Sequence, residues 1–222
     1  MSPATDQSQK SSPDSAPPRP EVISSFSGYD PPFDPVPLVE RMLASVPPKY
    51  LLGLKQIVLT NSSGLPRKRR RAVTRSRKRK VKIVDARGLY HQAWQGKQAW
   101  VEIFLDNVLE RFENHWAGKL GFVREAEISD VLFHEIGHHI HFTVRPEHRE
   151  KEDVADVWKV RLGKVYLRQR RPLLNMVQNL LRPIIGPLVR RFHLRAAKRI
   201  LSIGAISQAE FDEEFMKDRP RI

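Results

Sequence analysis

The chain has 222 residues, 40% of them hydrophobic, and no cysteine. That length suits one domain of moderate size with tails, and the missing cysteine excludes disulfides, thiolate metal sites and a cysteine nucleophile. The formal net charge is +14, but eleven Lys and Arg fall within residues 67–82 (RKRRRAVTRSRKRKVK) without a single acid, which leaves +3 (14 less 11) for the remainder. The body is therefore close to neutral and bears one strongly basic segment, which excludes a uniformly basic nucleic-acid binder.

Residues 1–20 are rich in Ser and Pro and hold no apolar run. They bury too little surface to offset chain entropy and are expected to form a disordered tail. No charged-then-apolar leader opens the chain, and no stretch reaches the roughly 18 apolar residues of a membrane span. The expectation is a soluble, cytoplasmic protein. Residues 21–35 form a Pro-punctuated lead-in with Phe26, Tyr29 and Phe33 as anchors, and residues 38–45 predict a short helix stopped by Pro47 and Pro48.

Three strand patterns follow, at 54–60 (LKQIVLT), 81–86 (VKIVDA) and 100–106 (WVEIFLD), each apolar and β-branched or alternating. The basic segment, 66–82, reads as a long loop inserted into a hairpin between the first two. Residues 88–97, with Gly88 and Gly96, read as a wide connection. The expected sheet is small, twisted and mainly antiparallel.

From about residue 129 the pattern becomes helical, with Leu132, Ile136 and Ile140 recurring every four residues. Ser129 and Asp130 make a plausible helix start. Gly137 stands in mid-helix, where it costs about 1 kcal/mol relative to Ala; close packing against a strand would account for it. A second helix is expected over about 147–168. Residues 172–206 are apolar at helical spacing, interrupted by Pro183 and Pro187, and Ser207 with Glu210 forms a capping box for a last short helix. This C-terminal helical segment, 172–222, reads as core or lid, or, through Arg190, Arg191, Arg195, Lys198 and Arg199, as a basic amphipathic surface for a membrane or partner. The expected organisation is α+β: a tail (1–20), one globular domain (21–171) and the C-terminal helices.

The chemistry concentrates at His134-Glu135-Ile136-Gly137-His138. Histidines four apart share one helix face, one turn from each other, so both imidazoles reach one cation. Glu135 is rotated about 100° from His134; its carboxylate lies beside that cation and takes a proton from water. Catalytic zinc keeps three protein ligands and one open position. The acidic run Glu150, Glu152, Asp153 and Asp156 opens the next helix. Glu152 and Asp156 share a face, with Ala155 beside them to let two helices approach. A Glu there could supply the third ligand, and the Asp one turn on could accept the free N–H of a liganding His or pair with Lys159 or Arg161. His148 is a rival third ligand in a three-histidine site. His139 and His141 read as neighbours or solvent-facing groups.

These residues resemble the gluzincin group of metallopeptidases, the thermolysin-like clan and its small single-domain relatives, which pair H-E-x-x-H with E-x-x-x-D on a following helix. The resemblance rests on His134-Glu135-Ile-Gly-His138 and Glu152-Asp-Val-Ala155-Asp156. It implies a zincin-like fold with zinc held by His134, His138 and Glu152, Glu135 as general base, and Asp156 behind a liganding histidine. It also implies an edge strand that takes extended peptide substrate, for which 100–106 is the best match. Tyr90, His91, Tyr166 and His193 are the candidates for the oxyanion donor of such enzymes. The metzincin pattern fails, because position 144 is Val.

Two functions follow. One is a zinc peptidase acting on protein or peptide substrates. The other is a basic adaptor that binds nucleic acid or an anionic membrane through 67–82 and the C-terminal helices, with a structural or inactive metal site. The basic segment contains no aromatic residue, so base stacking is not expected.

Overall fold

The computed structural model describes residues 19–76, 79–110, 120–144 and 152–170. Residues 54–60 form the predicted strand, β2 (Leu54–Thr60), with Leu54, Ile57 and Leu59 buried. The step of three between Leu54 and Ile57 coincides with a register shift at Leu54/Gln56, since one extra residue restores the inward alternation. On one side of β2 lies β1 (Glu21–Ser25), parallel to it, with Ile23 opposite Val58. On the other lies β6 (Ala99–Phe104), also parallel, with Ile57 opposite Val101 and Leu59 opposite Ile103. β5 (Gly88–His91) closes the sheet antiparallel to β6, with Tyr90 opposite Val101, giving the order β1-β2-β6-β5.

The fold is α+β, but two of its three strand pairings are parallel, so the sheet is mixed rather than mainly antiparallel. Period-two alternation identifies a strand and leaves its direction open; direction follows from the connection. Helix α1 (Val36–Ser45) returns the chain between β1 and β2, and residues 61–98 return it between β2 and β6. β1 lies in what reads as an irregular lead-in, because its five residues at the sheet edge carry no buried alternation.

The basic segment also departs from the expected loop. It contains a helical turn, α2 (Arg67–Arg70), and a separate antiparallel hairpin, β3 (Val73–Ser76) with β4 (Arg79–Lys82). The strand expected at 81–86 ends at Lys82 and passes into a 3-10 turn, Ile83–Asp85. The expected wide connection is in part β5, and the strand expected at 100–106 is internal to the sheet, running directly into α3 (Leu105–Leu109).

One face of the sheet carries the main core. Ile57, Leu59, Val101 and Ile103 meet α1 and two long helices, α4 (Gly121–Val144) and α5 (Glu152–Arg170). Leu132, Ile136 and Ile140 of α4 are at most 1% exposed, so truncating one to Ala should cost about 2–5 kcal/mol. α4 begins at Gly121, ahead of the expected start near 129. The tail at 1–18 and the C-terminal segment from 171 lie outside the described residues. No helix among those described is long and apolar enough to cross a membrane.

Gly137 is explained by a helix, not by a strand. A Cβ on it would stand 2.7 Å from the Ala155 carbonyl oxygen and 2.9 Å from the Ala155 Cα. The α4 and α5 backbones therefore touch at this pair of small residues, which is what brings the acidic end of α5 against the histidines. Gly137→Ala should push the helices apart and lower stability by about 1–3 kcal/mol; a thermal melt checks it, and an unchanged midpoint would refute the close-contact account.

On the opposite face, Phe104 packs with Leu65 and Ala86, and Glu102 is buried in mid-strand. The Arg69 guanidinium donates two hydrogen bonds to the Glu102 carboxylate, at 2.9 and 2.6 Å, and His91 Nε2 lies 3.2 Å from it. Burial favours the neutral acid, but the hydrogen bonds from His91 and Arg69 prevail and hold Glu102 below the usual carboxylate range. Nearby, Asp106 accepts from the Ser62 and Ser63 backbone N–H groups and the Ser62 hydroxyl. Asn107 donates to the Val84 and Ala86 carbonyls. These bonds tie the residues that flank the basic segment, Ser62 and Ser63 before it and Val84 and Ala86 after it, to the start of α3 just beyond β6.

Candidate metal centre

His134 and His138 stand one turn apart on α4, with ring centroids 4.7 Å apart. Glu152 is the first residue of α5, and Asp156 follows one turn later. The Glu152 carboxylate lies 3.3 Å from His134 Nε2 and 4.0 Å from His138 Nε2. One ligand atom from each of the three residues falls within 4.8 Å of the others. Bonds of about 2.0–2.1 Å in a tetrahedron place neighbouring ligand atoms roughly 3.3 Å apart. The His134–Glu152 edge already has that length, and the His138–Glu152 edge needs a small contraction. The donor set of two imidazoles and one carboxylate suits zinc, so the residues fit the ion.

Asp156 accepts a hydrogen bond from His134 Nδ1 at 3.1 Å, which turns Nε2 toward Glu152. Lys159 holds Asp156 (3.5 Å) and Asp130 (3.1 Å) from the other side. The two expectations for Asp156, acceptor for a histidine and partner for a lysine, are thus met together. Burial disfavours a charged His134 ring, yet hydrogen bonds to Asp156 and Glu152, with the charge of Glu135, push its pKa up to about 9. The carboxylates that favour a proton on this ring favour a divalent cation in its place. Asp156→Ala should weaken zinc binding about 10–100-fold; a competition titration against a chelator of known affinity measures this, and equal affinities would remove Asp156 from the site's support.

Glu135 is 7% exposed and does not join the three converging ligands. It faces the sheet edge. A Cβ on Gly88 would lie 2.8 Å from Glu135 Oε1 and 2.7 Å from Val131 Cγ1, so only glycine lets β5 pass this close to the carboxylate. A cleft of about 480 Å³ opens here, lined by Gly88 and Tyr90 of β5, by Val131, His134, Glu135 and His138 of α4, by Glu152, Asp156 and Lys159 of α5, and by Thr74 and Val81 of the basic hairpin.

Of the candidate oxyanion donors, only Tyr90 among the described residues lines this cleft. His91 points to the opposite face, stacked on Trp100 and bonded to Glu102. Tyr166 bonds Glu125 elsewhere, and His193 lies outside the described residues, as do Glu150 and His148. His139 and His141 are buried, at 1% and 5% exposure, instead of facing solvent. His139 Nε2 lies 3.0 Å from the Leu52 carbonyl, to which it must donate, so Nδ1 accepts from the Tyr90 hydroxyl at 3.2 Å. Burial holds the His139 pKa down despite that carbonyl. This neutral ring ties α4 to β5 and to the turn before β2.

Sequence reasoning missed the close approach at Gly88, the bond that fixes Tyr90 in the cleft wall, and Asp130 as the second partner of Lys159. Only the glycine carried a signal, standing at the start of a short apolar–aromatic run. No family model, curated protein or solved structure matches this chain.

Proposed function

We propose that this protein is a zinc-dependent metallopeptidase with a zincin-like active site. The observation that carries the reading is the grouping of one ligand atom each from His134, His138 and Glu152 within 4.8 Å of one another, with Glu135 beside them against the sheet edge. His134, His138 and Glu152 would hold the ion, and Asp156 would orient His134. Zinc bound there supplies Lewis acidity that lowers the pKa of water toward about 7. Glu135 takes a proton from the attacking water on a carboxylate oxygen and returns it to the departing amine. Low exposure around Glu135 and His138 limits competing solvent.

The outer edge of β5, not β6, is the strand offered to an extended peptide, because β6 is paired on both sides. Main-chain pairing on such an edge would bring a substrate carbonyl past Gly88 to Glu135. The adaptor reading is weakened in one respect: Arg69, counted among its cations, is engaged by Glu102. The test is direct. Purified protein reconstituted with zinc and dialysed should retain about one ion per chain by elemental analysis and cleave a mixed peptide library. His134→Ala should abolish both. Protein that retains no zinc ends the proposal.

A further inference from the structure

The proposed reaction leaves the basic segment unused, yet the fold builds that segment into the cleft. Arg69 clamps α2 to Glu102, Arg70 donates to the Ser63 carbonyl at 3.0 Å, and the Ile83 N–H donates to the Ala72 carbonyl at 2.9 Å. Thr74 and Val81 face each other across the β3–β4 pair, and both line the cleft that contains His134, Glu135, His138 and Glu152. Alternation then puts Val73, Lys80 and Lys82 on the hairpin's other face. All three are exposed, as are Arg67, Lys68 and Arg71. One wall of the cleft is therefore the inner face of a hairpin that is fixed to the sheet and carries Lys80 and Lys82 on its outer face.

We infer that this hairpin docks an acidic polypeptide, whose carboxylates bind Arg67, Lys68, Arg71, Lys80 and Lys82 while an adjoining stretch of the same chain enters the cleft. Charge complementarity selects an anion. The absence of aromatic side chains from 67–82 removes the stacking platform that single-stranded nucleic acid uses. Position selects a polypeptide, since a chain that crosses from the hairpin's outer face to its inner face reaches β5, the end strand of the sheet among the described residues, where extended backbone pairs. The cleft lining itself holds Asp85, Asp130, Glu135, Glu152 and Asp156 against Arg87 and Lys159, so the acidic residues belong in a flanking stretch away from the metal centre. The use of the cleft rests on the peptidase reading; the docking does not.

The experiment uses the full chain carrying Glu135→Gln, so that nothing is cut. A fluorescein-labelled peptide with a Glu-rich half and a neutral half is compared by anisotropy with the same peptide bearing Gln for Glu. The acidic peptide should bind at least about 10-fold tighter at low salt, with the advantage shrinking as salt rises. Replacing Arg67, Lys68, Arg71, Lys80 and Lys82 with Ser, while keeping Arg69 and Arg70, should abolish the difference. If that variant melts early, Lys80→Ser/Lys82→Ser alone should reduce it. A photo-crosslinker in the neutral half should label β5 or α4. Equal affinity for the two peptides, indifference to the substitutions, labelling elsewhere, or tighter binding to charge-matched single-stranded RNA or phosphatidylserine vesicles would each overturn the inference. Because the readout needs neither zinc nor turnover, binding without hydrolysis in the parent chain would count against the peptidase reading alone.

Discussion

Glu135→Gln is expected to retain zinc and lose peptide hydrolysis by about 10²–10⁴-fold or more, the range a positioned general acid–base contributes. The amide is nearly isosteric with the carboxylate, so the close approach of Gly88 to this side chain should persist. What disappears is the oxygen that takes the proton from water in the proposed reaction. The three proposed ligands are untouched, and His134 keeps its bond to Asp156, so zinc content by elemental analysis should match the parent. The pairing of outcomes is the informative part. Loss of both zinc and activity would make Glu135 a ligand or a structural group. Retention of both would place the proton transfer on another residue and remove Glu135 from the mechanism.

The second large effect is on stability, far from the metal. Arg69→Met leaves the Glu102 carboxylate in the sheet with His91 as its remaining partner among the described residues. Removing one partner of a buried pair costs about 3–5 kcal/mol; with the Arg69 side chain 37% exposed and His91 still present, about 2–4 kcal/mol is expected at neutral pH. The sign with pH follows from the carboxyl. In the parent, Glu102 is held below its ordinary value of 4.5, so its stabilisation is full above that value and is lost as pH falls through the lowered one. In the variant the burial effect gains weight, and protonating Glu102 relieves the unpaired charge. The deficit should therefore shrink as pH drops from 7 toward about 5. Arg69→Met with Glu102→Met together should recover most of the loss, as apolar replacement of a buried pair commonly does. Denaturant melts of the three proteins across that pH range check this. A single variant as stable as the parent would mean that the basic segment is not clamped to the sheet through Arg69.

A salt bridge of this kind is invisible in the basic run. Eleven cations in sixteen residues read as one solvated charge segment, because nothing in a local pattern tells the arginine that meets a buried glutamate from its neighbours. The distinction arises only when β6 presents Glu102 on the face that α2 covers. The same limit explains the sheet. Residues 54–60 and 100–104 alternate in a way that tertiary structure preserves, so β2 and β6 were legible. Their parallel direction was not, because it depends on how residues 26–53 and 61–98 travel. β5 escaped notice because four residues of intermediate burial carry almost no periodic signal. Its place at the sheet edge is decided by pairing with β6.

The residues of the candidate metal site were legible for a reason of geometry. A four-residue spacing on a helix fixes the separation of two side chains whatever the surrounding fold, so His134 and His138 share a face by helical pitch alone. Glu152 and Asp156 share theirs by the same rule. The sequence by itself therefore determined each half of the candidate centre, the charge of the basic segment and the absence of any thiolate chemistry. Only the tertiary structure decided that the halves meet. That required the bare backbone of Gly137 against Ala155 to bring α5 onto α4, and the bare Gly88 to admit the sheet edge beside Glu135. Contacts between residues distant in the chain are set by packing, and no spacing along the chain encodes them.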